Sequence, residues 1–301
     1  GLTGVARVND GEILNKGWEF SASYRGNVSD FRYNVGFNAS YIHNEVTHFG
    51  VEGGKVGSGI GQLGNVSKYE TGEPVWYFYG YEALGIFQNQ DEIDNYISDS
   101  TGQRIQLGAV PGDVKWADHS GNGRIDPEDR VKLGKPLPDW YFGLNLGFEF
   151  KGFDLNAFFQ GVMGNQIFWA SYRNDNLRTN RVSVWYEDRW TGEGTSNTIP
   201  RATLNDRNRN FQVSSLNVFD GDYLRFKNLS IGYTIPPSLT TRVGVKSLRV
   251  YYTGTNLLTF TNYPGVDPEV GNSFDNSSFL GIDVGMYPTT KIHSFGVMLN
   301  L

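Results

Sequence analysis

The sequence of 301 residues predicts an all-β fold, a segment of a transmembrane antiparallel β-barrel with long extracellular loops. Three observations carry this. Several stretches alternate apolar and polar residues with a period of two, as strands do when one side faces an apolar medium. The connections between them alternate short and long, and every long one falls at the same end. Outer-membrane barrels have this asymmetry, whereas a soluble sandwich has no reason to adopt it. Finally, no apolar run approaches the ~18 residues of a membrane helix, and a mean hydropathy of −0.41 with 38 glycines suits strands joined by polar loops.

In chain order, residues 1–17 are rich in turn formers (Asn9-Asp10-Gly11, Lys16-Gly17) and are expected to end a preceding element. Trp18, Phe20, Ala22 and Tyr24 then alternate with polar residues as far as Arg25. A turn over Gly26–Ser29 leads into Asp30–Tyr41, where Phe31, Tyr33, Val35, Phe37 and Ala39 share a face. With Arg25 opposite Asp30, Tyr24 meets Phe31 and Ala22 meets Tyr33. From Ile42 to Pro138 the alternation lapses. The clearest hairpin follows. Phe142, Leu144, Leu146, Phe148 and Phe150 lie on one face of its first strand, and Phe153, Leu155, Ala157 and Phe159 on one face of its second. A two-residue turn at Lys151-Gly152 pairs Phe150 with Phe153, Phe148 with Leu155, Leu146 with Ala157 and Leu144 with Phe159. Both strands are long enough to cross a bilayer when tilted, which takes about 9–11 residues. After a polar stretch, Asn165 to Gly221, strands are expected over Asp222–Thr234, Ser247–Leu258 and Thr290–Leu301, with a polar loop from Thr259 to Thr289.

That makes seven strands, and Trp18–Arg25 would leave an apolar edge unpaired in lipid. The expectation is therefore that residues 1–301 are strands and loops of one larger barrel domain, the other strands lying N-terminal to it. Residues 1–9 would descend from an extracellular loop.

Two features of the loops suggest chemistry. Counting Asp118 as position 1 puts Ser120 at 3, Asn122 at 5, Gly123 at 6, Arg124 at 7, Asp126 at 9 and Asp129 at 12. This is the oxygen spacing of an EF-hand calcium loop, with Arg124 offering its carbonyl and Asp129 in place of the usual glutamate. The other reading is a turn held by Asp and Asn side chains bonding local amides. In addition, Trp76, Tyr77 and Tyr79 in one loop and Trp169 and Tyr172 in another, with Arg173 and Asn174, could stack on and hydrogen-bond a sugar or peptide substrate. Equally, large loops need aromatics to pack against one another. Gly59, Gly61 and Gly64 spell G-x-G-x-x-G without a strand-to-helix context, so they read as a mobile loop. The four histidines show no metal or triad spacing. The absence of cysteine excludes a disulfide scaffold and a thiolate metal site, and the net charge of −6 without a basic tract argues against nucleic acid.

Several blocks in order resemble one family. They are Gly80-Tyr81 to Gly85-Ile86-Phe87-Gln88; Gly112-Asp113-Val114-Lys115-Trp116 running into Gly121-Asn122-Gly123-Arg124-Ile125-Asp126; and Gly134-Lys135-Pro136-Leu137-Pro138-Asp139. Further blocks are Lys151-Gly152-Phe153-Asp154-Leu155 with Phe158-Phe159-Gln160-Gly161, Asp188-Arg189-Trp190-Thr191, Tyr223-Leu224-Arg225 to Gly232-Tyr233, and Leu248-Arg249-Val250 to Asn256-Leu257-Leu258. Together they resemble the C-terminal part of the SusC/RagA family of TonB-dependent outer-membrane transporters. Ser294, Gly296, Leu299 and Leu301 are similar to that family's terminal assembly signal, although Leu301 stands where an aromatic residue is usual. The resemblance implies a non-enzymatic outer-membrane protein importing glycan oligosaccharides or peptides. It further implies contact with outer-membrane lipid, a SusD-like surface lipoprotein as partner, and energy from the TonB complex through the plug domain and TonB box, which these residues lack. The competing reading is a secreted, calcium-stabilised β-rich carbohydrate-binding or glycosidase module, in which the apolar faces would form a sandwich core.

Overall fold

A computed structural model describes residues 10–57, 59–172 and 182–301. Seven long strands form one sheet: β1 (Gly11–Val28), β2 (Phe31–Phe49), β3 (Trp140–Phe150), β4 (Phe153–Met163), β5 (Tyr223–Thr234), β6 (Ser247–Thr261) and β7 (Ile292–Asn300). Each pairs antiparallel with its successor in sequence, a simple meander with β1 and β7 at its edges. The short connections, Ser29-Asp30, Lys151-Gly152 and Ile235–Lys246, lie at one end. The long ones, 50–139, 164–222 and 262–291, lie at the other.

The β3–β4 hairpin has the expected register throughout, from Phe150 opposite Phe153 to Leu144 opposite Phe159. Lys151 (φ 46°) and Gly152 (φ 88°) both take positive φ, which a two-residue turn requires if its twist is to match the strands it joins. The first hairpin differs from expectation. Its turn is Ser29-Asp30, and Val28 faces Phe31, so Tyr24 meets Val35 rather than Phe31. Gly26 and Asn27 are strand residues, and the ring of Tyr33 lies where a Gly26 β-carbon would sit. Because the pairing slides by an even number of residues, every side chain keeps its face. Residues 11–17, expected to end a preceding element, instead extend β1 and pair as far as Phe49 through one bulge at Glu12/Ile13.

Register carries the apolar face across the whole sheet. One rung runs Tyr33, Phe148, Leu155, Ile231, Tyr252, Phe295, and the next Val28, Phe31, Phe150, Phe153, Tyr233, Val250, Val297. Aromatic rings gather at both ends of this face. Near the short turns Phe31 packs on Phe148 and Phe150, and Phe153 lies 4.4 Å from Tyr233. Near the long loops Trp140 lies 5.0 Å from Trp18 and 5.2 Å from Tyr41. Phe31 and Tyr41 are ten residues apart on β2. At about 3.3 Å per residue and a tilt near 40°, that spans about 25 Å, the height of the lipid-facing band between the aromatic girdles of a membrane barrel.

The opposite face is polar. A rung of Arg25, Asn34, Gly147, Asn156, Ser230, Thr253 and Ser294 crosses all seven strands. On this face Arg249 reaches over β5 to grip Asp154 with two hydrogen bonds of 2.9 and 2.6 Å. The guanidinium passes directly above Gly232, where a β-carbon would collide with Arg249 Nη2 and Asp154 Oδ2.

Among the described residues the sheet itself builds no core between layers. The buried apolar clusters lie in the long connections, which fold into a layer at one end. Ile60, Val66 and Phe78 from the first, Phe168, Ala170 and Val213 from the second, and Phe279 and Ile282 from the third form a single cluster. Gln166–Trp169 pairs antiparallel with Val218–Asp220 and parallel with Ile282–Asp283, joining the second and third connections in one small sheet. Ile60 is buried, so the segment around Gly59, Gly61 and Gly64 is part of this packed layer, where the sequence predicts a mobile loop.

Candidate functional site: the lumenal wall and the loop layer

The polar face of the sheet offers a shallow cavity of about 380 Å³ lined by Asn34, Asn145, Asn156, Asn228, Ser230, Thr253 and Thr255 with Phe158. Amides and hydroxyls dominate, and no charged side chain contributes. Nearer the short turns the wall becomes charged, with Arg32 3.4 Å from Glu149 and the Asp154–Arg249 pair beside them.

Close to the loop layer, the polar face carries a second group of charges. Arg225 is almost completely buried. Its Nη1 donates to Glu269 (2.6 Å) and Thr289 (2.5 Å), and Nη2 donates to Asp267. Lys227 donates to Glu269 at 2.8 Å, the Tyr223 hydroxyl to the same carboxylate at 2.9 Å, and the Thr289 amide to Asp267 at 2.8 Å. Lys227 has no partner in either neighbouring strand, because the register shifts between Phe226 and Asn228 on both sides. This bulge switches parity: Tyr223 and Arg225 face the polar side before it, Asn228 and Ser230 after it, with Lys227 at the switch. Burial alone would raise the Asp267 carboxyl, but bonds from Arg225, Thr289 and the Glu269 amide outweigh it and hold it at about 2. Its depressed value stabilises the network above the ordinary carboxylate range, and that stabilisation is lost only as pH falls toward 2. Between pH 5 and 8 the Asp267 carboxylate therefore stays ionised. Sequence reading misses it, since Arg225 and Asp267 lie 42 residues apart; the doublet of cations around Phe226 was the available signal.

The Asp118–Asp129 loop is closed by its own side chains. Asp118 Oδ2 accepts from the Gly123 amide (2.9 Å) and Asn122 Oδ1 from the Arg124 amide (3.1 Å). Asp129, fully buried, accepts from the Ser120 and Asp126 amides at 2.9 and 2.7 Å. Asp126 caps the short helix Pro127–Asp129; the Glu128 amide, then the Arg124 guanidinium, hold its carboxyl below the usual range. Gly123 supplies the positive φ (85°) of the sharp turn. Among the described residues no group of three or more His, Asp or Glu side chains converges as metal ligands do.

Of the aromatic candidates, Trp76, Tyr77, Tyr79 and Trp169 pack within the loop layer. Trp76 is buried against Tyr69, and Tyr77 donates to Glu70, with burial first and that carboxylate second raising its phenol. Tyr79 lies under the Arg130 guanidinium at 4.4 Å, and Trp169 packs on Phe219 and Tyr263. Arg173 and Asn174 fall outside the described residues, as does the Tyr172 side chain. Three histidines each meet a single carboxylate, His43 with Glu45, His48 with Asp10 and His119 with Glu82; His293 bonds Tyr252.

No family model matches the chain. Among curated proteins it is 32% identical over 298 residues to the TonB-dependent receptor P3 of Formosa agariphila, covering 96% of this chain and 29% of that protein. The chain is similar in sequence to TonB-dependent receptors. The TonB-dependent receptor SusC of Bacteroides thetaiotaomicron is 26% identical over 296 residues, covering 97% of the chain and 27% of SusC. The solved structure of the RagAB peptide transporter superposes over 97% of the chain and 30% of its own with a TM-score of 0.69 at 22% identity, a likeness of fold. The chain thus spans less than a third of the receptors it matches. The TonB-dependent receptors reside in the outer membrane and are receptors and transporters rather than enzymes. The apolar face between the two girdles has the height of the lipid-facing band of a membrane barrel.

Proposed function

We propose that the chain supplies barrel wall and extracellular mouth to an active nutrient importer of the outer membrane. Its cargo would be oligosaccharides or peptides, captured with a SusD-like surface lipoprotein and drawn in by TonB acting on other parts of the protein. The observation that carries this is the pairing of one lipid-type face of about 25 Å with a polar face, below a loop layer that holds the buried cores. A secreted sandwich would bury its apolar faces against a second sheet, and among the described residues no second sheet covers those faces. A tag at exposed Gly194 should be labelled on intact cells and one at Lys151 should not; reversed labelling would overturn the orientation. Loss of growth on one class of polymer after deleting the gene, with a surface lipoprotein co-purifying, would support import. Normal growth on every glycan and peptide source would refute it.

We also propose that the Asp118–Asp129 loop takes calcium weakly, which its ligand spacing and the turn at Gly123 support. The oxygens on offer are Asp118 Oδ1, Ser120 Oγ, Asn122 Oδ1, the Arg124 carbonyl and Asp126, with Asp129 keeping its amides and closing the loop. Calorimetry of the intact receptor should detect millimolar-range binding that Asp118→Ala abolishes. No heat at 10-fold higher calcium, roughly 10 mM or more, would leave the self-bonded turn as the whole account.

A further inference from the structure

We propose that the third long loop, 262–291, is a strap fastened inside the lumen, with the cluster of Arg225, Lys227, Asp267 and Glu269 as its buckle on the barrel wall. The inference rests on the reading of the polar face as lumenal.

The strap is tied at two places. At the wall, two cations of β5 meet two carboxylates of the loop, a set of four charges that sums to zero. Thr289, at the far end of the loop, bonds both Arg225 and Asp267, so the two limbs of the loop are clasped at one point. At the layer, Ile282–Asp283 pairs with Phe168–Trp169, the Tyr263 hydroxyl donates to Asp283 at 2.7 Å, and Phe279 and Ile282 enter the shared core. The layer therefore cannot lift from the wall as a free flap. Either its apolar core must open or the buckle must release.

The buckle is the separable tie. The Arg225 guanidinium is buried with its Nε unpartnered among the described residues, so it depends on the loop's carboxylates for neutralisation. Removing one partner of such a set leaves a buried charge uncompensated, whereas removing charges on both sides does not. The bulge that admits Lys227 costs the sheet a regular ladder position, and its product is a second cation aimed at Glu269.

The test is hydrogen exchange on the intact receptor purified in detergent. Asp267→Asn and Glu269→Gln, both on the loop and away from the barrel, should speed exchange of 262–275 and 284–291 at least tenfold while the 140–163 hairpin keeps its protection. Lys227→Met should do the same, and Lys227→Arg, which keeps the charge, should behave as wild type. Arg225→Met should loosen the loop more than Arg225→Met combined with Asp267→Asn. Unchanged loop exchange in both Asp267→Asn and Lys227→Met would overturn the strap, as would loosening that spreads equally to the hairpin. Because exchange is read without any substrate, its outcome stands apart from the growth tests of import.

Discussion

Replacing Leu146 with arginine is expected to cost the folded barrel about 2–4 kcal/mol, the penalty for a cation near the bilayer midplane on the lipid face. Leu146 lies in the rung Val35, Leu146, Ala157, Leu229, and its neighbours on the same face of β3 are Leu144 and Phe148. Trp140 lies six residues above it and Phe150 four below, so it falls near the middle of the band between the girdles. At that depth an arginine cannot reach either headgroup region without bending the bilayer or the strand. Asn145, one residue away, points to the opposite face, where it lines the polar cavity. Asn145→Arg should therefore cost much less. Folding into lipid vesicles, followed by urea titration, measures both. Equal losses for the two variants would mean that the faces are assigned wrongly.

The second large effect belongs to the loop layer. Phe168→Ala should remove about 3–5 kcal/mol from the stability of that layer, as truncation of a fully buried phenylalanine does when the cavity cannot collapse. Phe168 is completely buried and lies in a cluster drawn from all three long connections, with its ring 5.9 Å from that of Phe78. It is also paired with Ile282 and Val218 through its backbone, which limits how far the neighbours can relax into the void. The loss should be local. Protease added to intact cells should cut within 164–222 and 262–291, and the heat-resistant band of the folded barrel should persist. A variant whose loops resist protease as the wild type does would show that the cluster does not hold the layer together. A variant that loses the barrel along with the loops would show that the layer and the wall fold as one unit.

The sheet was legible because each strand carries its own instructions. A period of two sorts side chains to faces within a strand, and a two-residue turn at Lys151-Gly152 leaves only one register for β3 and β4. Where the turn was ambiguous, as at Gly26–Ser29, the pairing slid by four residues, yet the faces stayed the same because parity survives an even shift. The extent of β1 and β2 beyond the membrane was not legible. There the apolar alternation stops, and pairing with the neighbouring strand, not a medium, keeps residues 11–17 extended.

The candidate sites were legible only in part. The spacing of Asp118–Asp129 is local, and the structure adds which amides its carboxylates bond. The tryptophans and tyrosines of the loops were visible as residues, but whether a ring faces solvent or another loop depends on contacts made far along the chain. Trp169 on Tyr263 is one example.

By itself, then, the sequence determined the strand faces, the tight hairpin, the end at which the long loops gather and the resemblance to TonB-dependent receptors. Each of these follows from the local period or from motifs within a few residues of one another. Only the tertiary structure decided that the long loops form one packed layer, that Trp76, Tyr77 and Trp169 are interior to it, and that Arg225 and Lys227 hold Asp267 and Glu269. Those are outcomes of long-range packing and of charge burial, in which the partner of each group is chosen by the fold and not by its neighbours in the chain.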